Sequence, residues 1–222
     1  MQKKGKLNIL VTAGPTREYI DPLRYITNLS TGVMGYEIAK AALCRRHTVT
    51  LISGPTNIVP PRNLRVINVT TAQQMKQAVD SVFKNCHCLV MAAAVSDFRP
   101  KIIHKHKIKQ KRSLTMTLEK TPDILAGLSS KKGRRIFVGF SLETENLIEN
   151  AGEKLKNKNL DLIVANEYTR KNNPFGKNKT SLYLIDKAAK KEWFRNITKR
   201  KFASIILDKI EKMWYIYSLP IK

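Results

Sequence analysis

Residues 8–36 read NILVTAGPTREYIDPLRYITNLSTGVMGY, and their reading decides the fold. The short apolar run Ile9-Leu10-Val11 is bounded by polar residues, as a buried strand is. Gly32-Val33-Met34-Gly35 opens a helical pattern continued by Ile38, Ala39, Ala41, Ala42 and Leu43. About twenty residues separate strand from helix, whereas such links usually run 2 to 6, and a link this long is more often functional than structural. It carries Thr16, Arg17, Arg24, Asn28, Ser30 and Thr31, side chains able to hold an anion. The following helix points its free N–H groups and the positive end of its dipole back at the loop. The stretch predicts a phosphate-handling site at the top of a parallel sheet.

A dinucleotide site would need G-x-G-x-x-G directly after the strand and an acid about 20 residues on for a ribose. Gly14 stands alone, Gly32 is far beyond it, and the strand 48–52 ends in Ser53-Gly54-Pro55 without an acid. The Walker pattern GxxxxGK[ST] is missing too. A Rossmann-like order of elements is therefore present without the usual cofactor fingerprint. This counts against a nicotinamide-dependent oxidoreductase.

Outward from that stretch, the chain alternates strands and helices. Strand 48–53, a Pro-rich connector, strand 66–69, a helix over 72–84 and the apolar strand 89–93 follow. A strand apolar throughout suits a parallel sheet covered on both faces. The basic stretch 101–118 differs in composition and ends in the alternation Leu114, Met116, Leu118, which predicts an edge strand or hairpin. Thr121 is read as the N-cap of a helix with Pro122 in its first position. Strand 136–140, helix 146–157 and strand 160–165 complete the parallel set. A strand near 182–185, a return near 193–197 and a helix over 198–213 close the chain. The predicted class is α/β: a doubly wound, Rossmann-like, mostly parallel sheet with helices on both faces and an added hairpin or flap. Residues 1–222 are read as one domain, long enough to bury a sizeable core.

Lys and Arg number 41 against 17 acids, a net charge of +24. Such an excess can mark nucleic-acid binding. The lysines are spread over the whole chain and accompany no nucleic-acid motif, so a solvated surface that steers anionic substrates is the better reading. Cys44, Cys86 and Cys88 make an odd count without metal-ligand spacing, which argues against a disulfide frame and against zinc. No run approaches the ~18 apolar residues of a membrane span. The apolar run after the basic N-terminus is too short for a secretory signal. A cytoplasmic protein is expected.

Taken together, TAGPTRE, IDP…RYITN and STGxMG resemble the phosphopantothenate–cysteine ligase (phosphopantothenoylcysteine synthetase) family, of bacterial CTP-dependent type without the decarboxylase domain. The resemblance continues through 92–100 (AAAVSDFRP), 107–109 (KIK), 121–125 (TPDIL), 138–140 (VGF) and 161–166 (DLIVAN). It implies the joining of 4'-phosphopantothenate to L-cysteine through an acyl-cytidylate, giving CMP and pyrophosphate, in coenzyme A biosynthesis. It further implies CTP as co-substrate with Mg²⁺, no flavin on this chain, a homodimer, and a decarboxylase that is either a separate partner protein or another part of a longer chain.

The resemblance also assigns roles. Asn28 holds the carboxylate and then the acyl intermediate, its amide offering two donors and an acceptor; on the residues alone it could merely satisfy the loop. Arg24 would be a carboxylate or phosphate fork, with a salt bridge to Asp21 as the alternative. Lys107 would reach the phosphates from a flap over 101–118. Family members commonly read KIKK there; this chain has Gln110 in the last place, with Lys111 after it. Asp97, at a strand's carboxyl end, would stand by the metal and phosphates, since Mg²⁺ takes few carboxylates plus phosphate oxygens. Ala92 and Ala93 would let the base approach the backbone, with Ala94 at the substrate. Pro122, Asp123, Ile124 and Leu125 would offer helix-start amides, Phe140 would stack on the base, and Lys154 and Lys158, one turn apart, would contact the nucleotide. A core aromatic and a solvated helix face are the alternatives for Phe140 and the two lysines.

Overall fold

The structure, a computed structural model, describes residues 5–109, 113–169, 172–175 and 179–218. The opening apolar run forms β1 (Asn8–Ala13), and the long loop folds into a small antiparallel hairpin, β2 (Arg17–Tyr19) and β3 (Tyr25–Thr27), before α1 (Val33–Cys44). Then come β4 (Thr48–Ser53), β5 (Arg65–Asn68), α2 (Ala72–Phe83) and β6 (Cys88–Met91). A second small hairpin pairs β7 (Phe98–Pro100) with β8 (Leu118–Lys120). The rest of the chain gives α3 (Ile124–Ser129), β9 (Ile136–Glu143), α4 (Leu147–Asn157), β10 (Leu162–Glu167), β11 (Lys179–Asp186), β12 (Lys191–Thr198) and α5 (Lys199–Ser218).

Eight strands make one sheet in the order β12-β11-β10-β9-β6-β1-β4-β5. The strands from β10 to β5 pair in parallel, and β11 and β12 add an antiparallel margin. Alternation along β1 sends Ile9, Val11 and Ala13 to one face and Leu10 to the other. The first face is covered by α1 and α5, through Ile38, Ala42, Phe202 and Ile206. The second is covered by α2, α3 and α4, through Met75, Val79, Leu128 and Leu155. Both faces are thus covered by helices, as the apolar strands predict. Helix α1 lies very close to β1: a Cβ on Gly35 would fall 2.6 Å from the Ala13 Cβ and 2.9 Å from the Thr12 carbonyl oxygen. Only glycine permits that approach.

Several expectations are corrected. Thr121 is not the N-cap of α3. Asp123 is, its carboxylate accepting the Ala126 amide at 2.9 Å, while the Thr121 hydroxyl donates to the Ser96 carbonyl at 2.5 Å. Of the alternation 114–118 only Leu118 enters a strand; Leu114 and Met116 are exposed and have no ladder partner among the described residues. As the lack of metal-ligand spacing implies, Cys86-His87-Cys88 leads into β6: Nδ1 of His87 accepts the Asn8 amide at 3.0 Å, and burial raises both thiols' pKa. The last helix runs five residues beyond its predicted end at Met213. Its final turn is held because the Tyr217 hydroxyl donates to Asp161 at 3.1 Å and the Trp214 ring lies 4.6 Å from His87. Asp161 also accepts the Phe137 amide and pairs with Lys132.

Burial and the neighbouring Asp161 charge push the Tyr217 phenol up to about 12. The folded state therefore holds this proton above the ordinary phenol range, and the stability linked to it is present below about pH 10 and lost toward pH 12. In urea titrations Tyr217→Phe should flatten that part of the decline and lower stability at pH 7 by about 1 kcal/mol, the worth of one hydrogen bond.

Candidate active site

The site grows from the pairing of two loops at the carboxyl ends of β1 and β6. Strand order reverses between these neighbours, β4 and β5 lying to one side of β1 and β6, β9 and β10 to the other. Such a switch point opens a crevice in an α/β sheet. Past the sheet the two chains stay joined. The Ala93 amide donates to the Thr12 hydroxyl at 3.2 Å, Ala94 N–H to the Gly14 carbonyl at 2.9 Å, Thr16 N–H to the Ala94 carbonyl at 3.2 Å and Ser96 N–H to the Thr16 hydroxyl at 2.9 Å. The β2–β3 hairpin folds back onto this seam, and Asn28, just after β3, donates from Nδ2 to the carbonyls of Ala94 and Val95, each at 3.3 Å. Asp97 is exposed beyond it, with its carbonyl accepting the Thr121 amide at 2.9 Å.

A cleft of about 1050 Å³ opens above these ends. Its walls bring together Asn28, the backbone of Ala92, Ala93 and Ala94, Asp97, the segment 122–125, Phe140, Lys154 and Lys158. Residues far apart in the chain thus meet where the sequence places a ligand. Lys154 donates to the Phe140 carbonyl at 2.8 Å. Burial lowers its pKa, partly offset by the charges of Glu143 and Asp97. Lys158 pairs with the Asp123 carboxylate, so the residue that caps α3 also ties it to the end of α4. Among the described residues of the cleft, Asp97 is the carboxylate with no ion pair. One free acid beside two lysines suits a hard divalent cation that draws its other oxygens from phosphate. Among the described residues no three His, Cys, Asp or Glu side chains cluster as an all-protein metal site.

Two predicted residues lie outside these walls. The Arg24 guanidinium grips Asp21 through Nε, at 2.9 Å, and through Nη2, which also donates to the Ile108 carbonyl at 2.9 Å; of its two readings, the salt bridge is the one observed. Lys107 is exposed on the neighbouring segment and is not part of the cleft wall. Gln110 and Lys111 lie outside the described residues. The anion-holding side chains of the long loop serve mainly the loop itself. Thr16 is fully buried, Arg17 stacks on Tyr25 at 4.6 Å, the Ser30 hydroxyl accepts the Gly32 amide at 3.3 Å, and Thr31 donates to the Phe175 carbonyl at 3.3 Å. Gly32 precedes α1 with φ +79° and no side-chain cap, which leaves that helix's first amides uncapped by the loop.

The sequence reading missed Asn166, Tyr168 and Phe175, which also line the cleft. Oδ1 of Asn166 is buried with no partner among the described residues. A polar residue ending the apolar run 162–165 was the available signal for it. Tyr168 and Phe175, whose rings stand 6.1 Å apart, carry no periodic signal; Tyr168 follows β10 directly, its amide donating to the Glu143 carbonyl at 2.8 Å.

Comparison with known proteins agrees with the fold. The profile of the DNA/pantothenate metabolism flavoprotein C-terminal domain matches residues 4–213. The chain belongs to that family. The bifunctional coenzyme A biosynthesis protein CoaBC of Bacillus subtilis is 41% identical over 209 residues, 93% of this chain and 51% of the relative. The chain spans about half the length of the curated relatives it matches. The crystal structure of the C-terminal domain of a CoaBC protein superposes with a TM-score of 0.81 at 37% identity, covering 96% of this chain and 97% of that one. A mutant of Cab2 in complex with phosphopantothenate-cysteine shares the fold, at a TM-score of 0.78 and 19% identity, covering 96% of this chain and 88% of that one.

Asp123→Ala removes the α3 cap and leaves Lys158 without its partner. The partly exposed ion pair adds little, so urea unfolding should show a loss of about 1 kcal/mol, that of a helix cap.

Proposed function

We propose that this chain is a phosphopantothenate–cysteine ligase acting in coenzyme A biosynthesis, with residues 1–222 as one ligase unit and 101–118 as its flap. The observation that carries the reading is the cleft itself, in which Asn28, Asp97, Phe140 and the pair Lys154 and Lys158 converge from four separate segments. The family and its CoaBC relatives support the same activity.

A carboxylate is a poor acyl donor and must be activated. In this reading the carboxylate oxygen of 4'-phosphopantothenate attacks the α-phosphorus of CTP. The bond to the pyrophosphate leaving group breaks, and an acyl-cytidylate remains. The amine of L-cysteine then attacks the acyl carbon, loses a proton and expels CMP. No protein nucleophile is required, so the protein's task is to position the reactants and neutralise charge.

Asn28 fits the place beside the carboxylate. Its amide is oriented by the Ala94 and Val95 carbonyls, and it does not compete as a nucleophile. Lys154, whose charge is disfavoured by burial, gains most from an incoming phosphate that restores the electrostatic balance. Lys158 is held toward the cleft by Asp123, and Phe140 offers a ring to the base. Asp97 would hold Mg²⁺, which when bound supplies positive charge to the phosphates. Lys107 and Arg24 complete the proposed set from the flap side. CTP as the nucleotide rests on likeness to the bacterial forms. Flavin has no step in this reading. A cytoplasmic setting accords with this activity; among the described residues no helix is long and apolar enough to cross a membrane.

A homodimer is part of the proposal. Leu23, Ile102 and Ile103 are 64%, 70% and 60% exposed on the hairpin turn and the flap. Bulky apolar side chains so open to water fit a surface covered by a second copy. Sedimentation should give twice the 25.3 kDa chain mass, and Ile102→Glu with Ile103→Glu should return it to the monomer.

Pyrophosphate release and conjugate formation, followed with phosphopantothenate, cysteine, Mg²⁺ and CTP or ATP, test the activity. Product should form with CTP. Asn28→Ala and Lys107→Ala should each lower the rate by about 100-fold or more, the effect of removing one preorganised charge-stabilising contact. Absence of pyrophosphate with either nucleotide overturns the reading.

A further inference from the structure

The most densely hydrogen-bonded carboxylate of the described molecule lies outside the cleft. Asp21, fully buried, follows β2 in the hairpin turn. Its Oδ1 accepts the amides of Leu23 and Arg24, each at 2.9 Å. Its Oδ2 accepts Arg24 Nε at 2.9 Å, Arg24 Nη2, and the Ile108 amide at 3.1 Å. The same Arg24 Nη2 donates to the Ile108 carbonyl at 2.9 Å. One residue of the 101–109 segment is therefore held through both its N–H and its C=O by a single ion pair. The His104 amide adds a second attachment, to the Ile20 carbonyl at 2.9 Å.

Within one copy of the chain that segment has little else to hold it: from residue 101 to 107 every side chain is exposed, Ile102 and Ile103, the proposed dimer contact, included. A stretch with few buried contacts opens easily, and the Ile108 clamp is its most extensive attachment to the hairpin. Asp21 suits an anchor. Arg24 holds its carboxyl well below the usual carboxylate range, with backbone amides adding to the effect against the opposing pull of burial, so it stays charged at every physiological pH.

We infer that Asp21 is a positioning residue: through Arg24 and the Ile108 peptide it tethers the segment that carries Lys107, and so sets where that lysine stands relative to the cleft. The inference rests on the ligase reading for the role of Lys107, while the tether itself stands on geometry alone. Asp21 touches no reactant and acts only through the residue next to Lys107. The loop's buried IDP turn would then serve the flap, in addition to the hairpin it closes.

Asp21→Asn tests this in the full chain. The amide keeps the shape, but it has one acceptor where the carboxylate has two. With Oδ1 still serving Leu23 and Arg24, the NH₂ group faces the Ile108 amide and the guanidinium. The expected result has two parts. Trypsin should cut after Lys105, Lys107 and Lys109 about tenfold faster than in the parent chain at an unchanged melting temperature, because local opening rather than global unfolding limits the cleavage. Pyrophosphate release should fall by about tenfold in the parent background and by no further amount in Lys107→Ala, the non-additivity of residues that act as one unit. Unchanged cleavage overturns the tether. An equal loss of rate in both backgrounds overturns the link to Lys107, because it marks a general structural effect. If Asp21→Asn lowers the melting temperature, Ile108→Pro replaces it in both measurements, with cleavage read after Lys105 and Lys109: proline deletes the N–H that Asp21 accepts and leaves the hairpin side chains in place. If the parent chain releases no pyrophosphate, the ligase reading and the role for Lys107 fail together, while the proteolysis still decides whether Asp21 holds the segment.

Discussion

Two-sided burial of the parallel sheet is the constraint on which everything else in this molecule depends. The backbone polar groups of β1, β4, β6, β9 and β10 are satisfied sideways by neighbouring strands. Helices close both faces, so the side chains in between must be apolar. Leu10, Val11, Leu89, Val138 and Ile163 are all buried to within a hundredth of their surface. Polar chemistry is thereby excluded from the middle of the sheet and confined to its ends. At the carboxyl end, where strand order reverses, the loops must part, and Asn28, Asp97 and Asn166 stand there. The cleft follows from how a parallel sheet is closed.

The same constraint accounts for the long loop after β1. A loop of this length crossing the open end of a sheet carries many backbone groups that water cannot fully reach. Its polar side chains are largely spent on holding it. Thr16 and Thr27 bond within it or to the neighbouring loop, Asp21 gathers five donors, and Glu18 reaches across to the Ala72 amide at the start of α2 at 2.8 Å. The loop so fixed presents Asn28 in one orientation. Rigidity bought in this way is what a site that works by placement needs.

The large positive charge acts differently. Few of the acids are left to soften it at the cleft, where Asp123 is paired with Lys158 and Glu143 accepts from Ser141 and Asn150. The field of the remaining lysines favours anions over the whole surface, and only the cleft adds shape to that attraction. Charge alone therefore says little about the ligand, while charge within a concave wall of named residues says a great deal.

Much of this was legible in the residues. Apolar runs and helical spacing determined the β/α order, the coverage of both faces and the position of the long loop after β1, because period and burial are local properties of a chain. Motifs also pointed to Asn28, Asp97, Phe140, Lys154 and Lys158, which do line one cleft. Other features lay beyond local reading. Whether Arg24 faces a ligand or Asp21 depended on a turn only three residues long folding back on itself. Asp123 rather than Thr121 caps α3 because Thr121 is drawn to the Ser96 carbonyl. Tyr217 extends α5 because Asp161, far away in the chain, receives its hydroxyl. Tyr168 and Phe175 join the site with no periodicity to mark them. The sequence by itself determined the layers and the chemical types at the sheet's open end. Only the tertiary structure decided which polar groups satisfy one another and which are left to face the cleft, since a hydrogen bond is settled by distances between residues the chain order does not bring together.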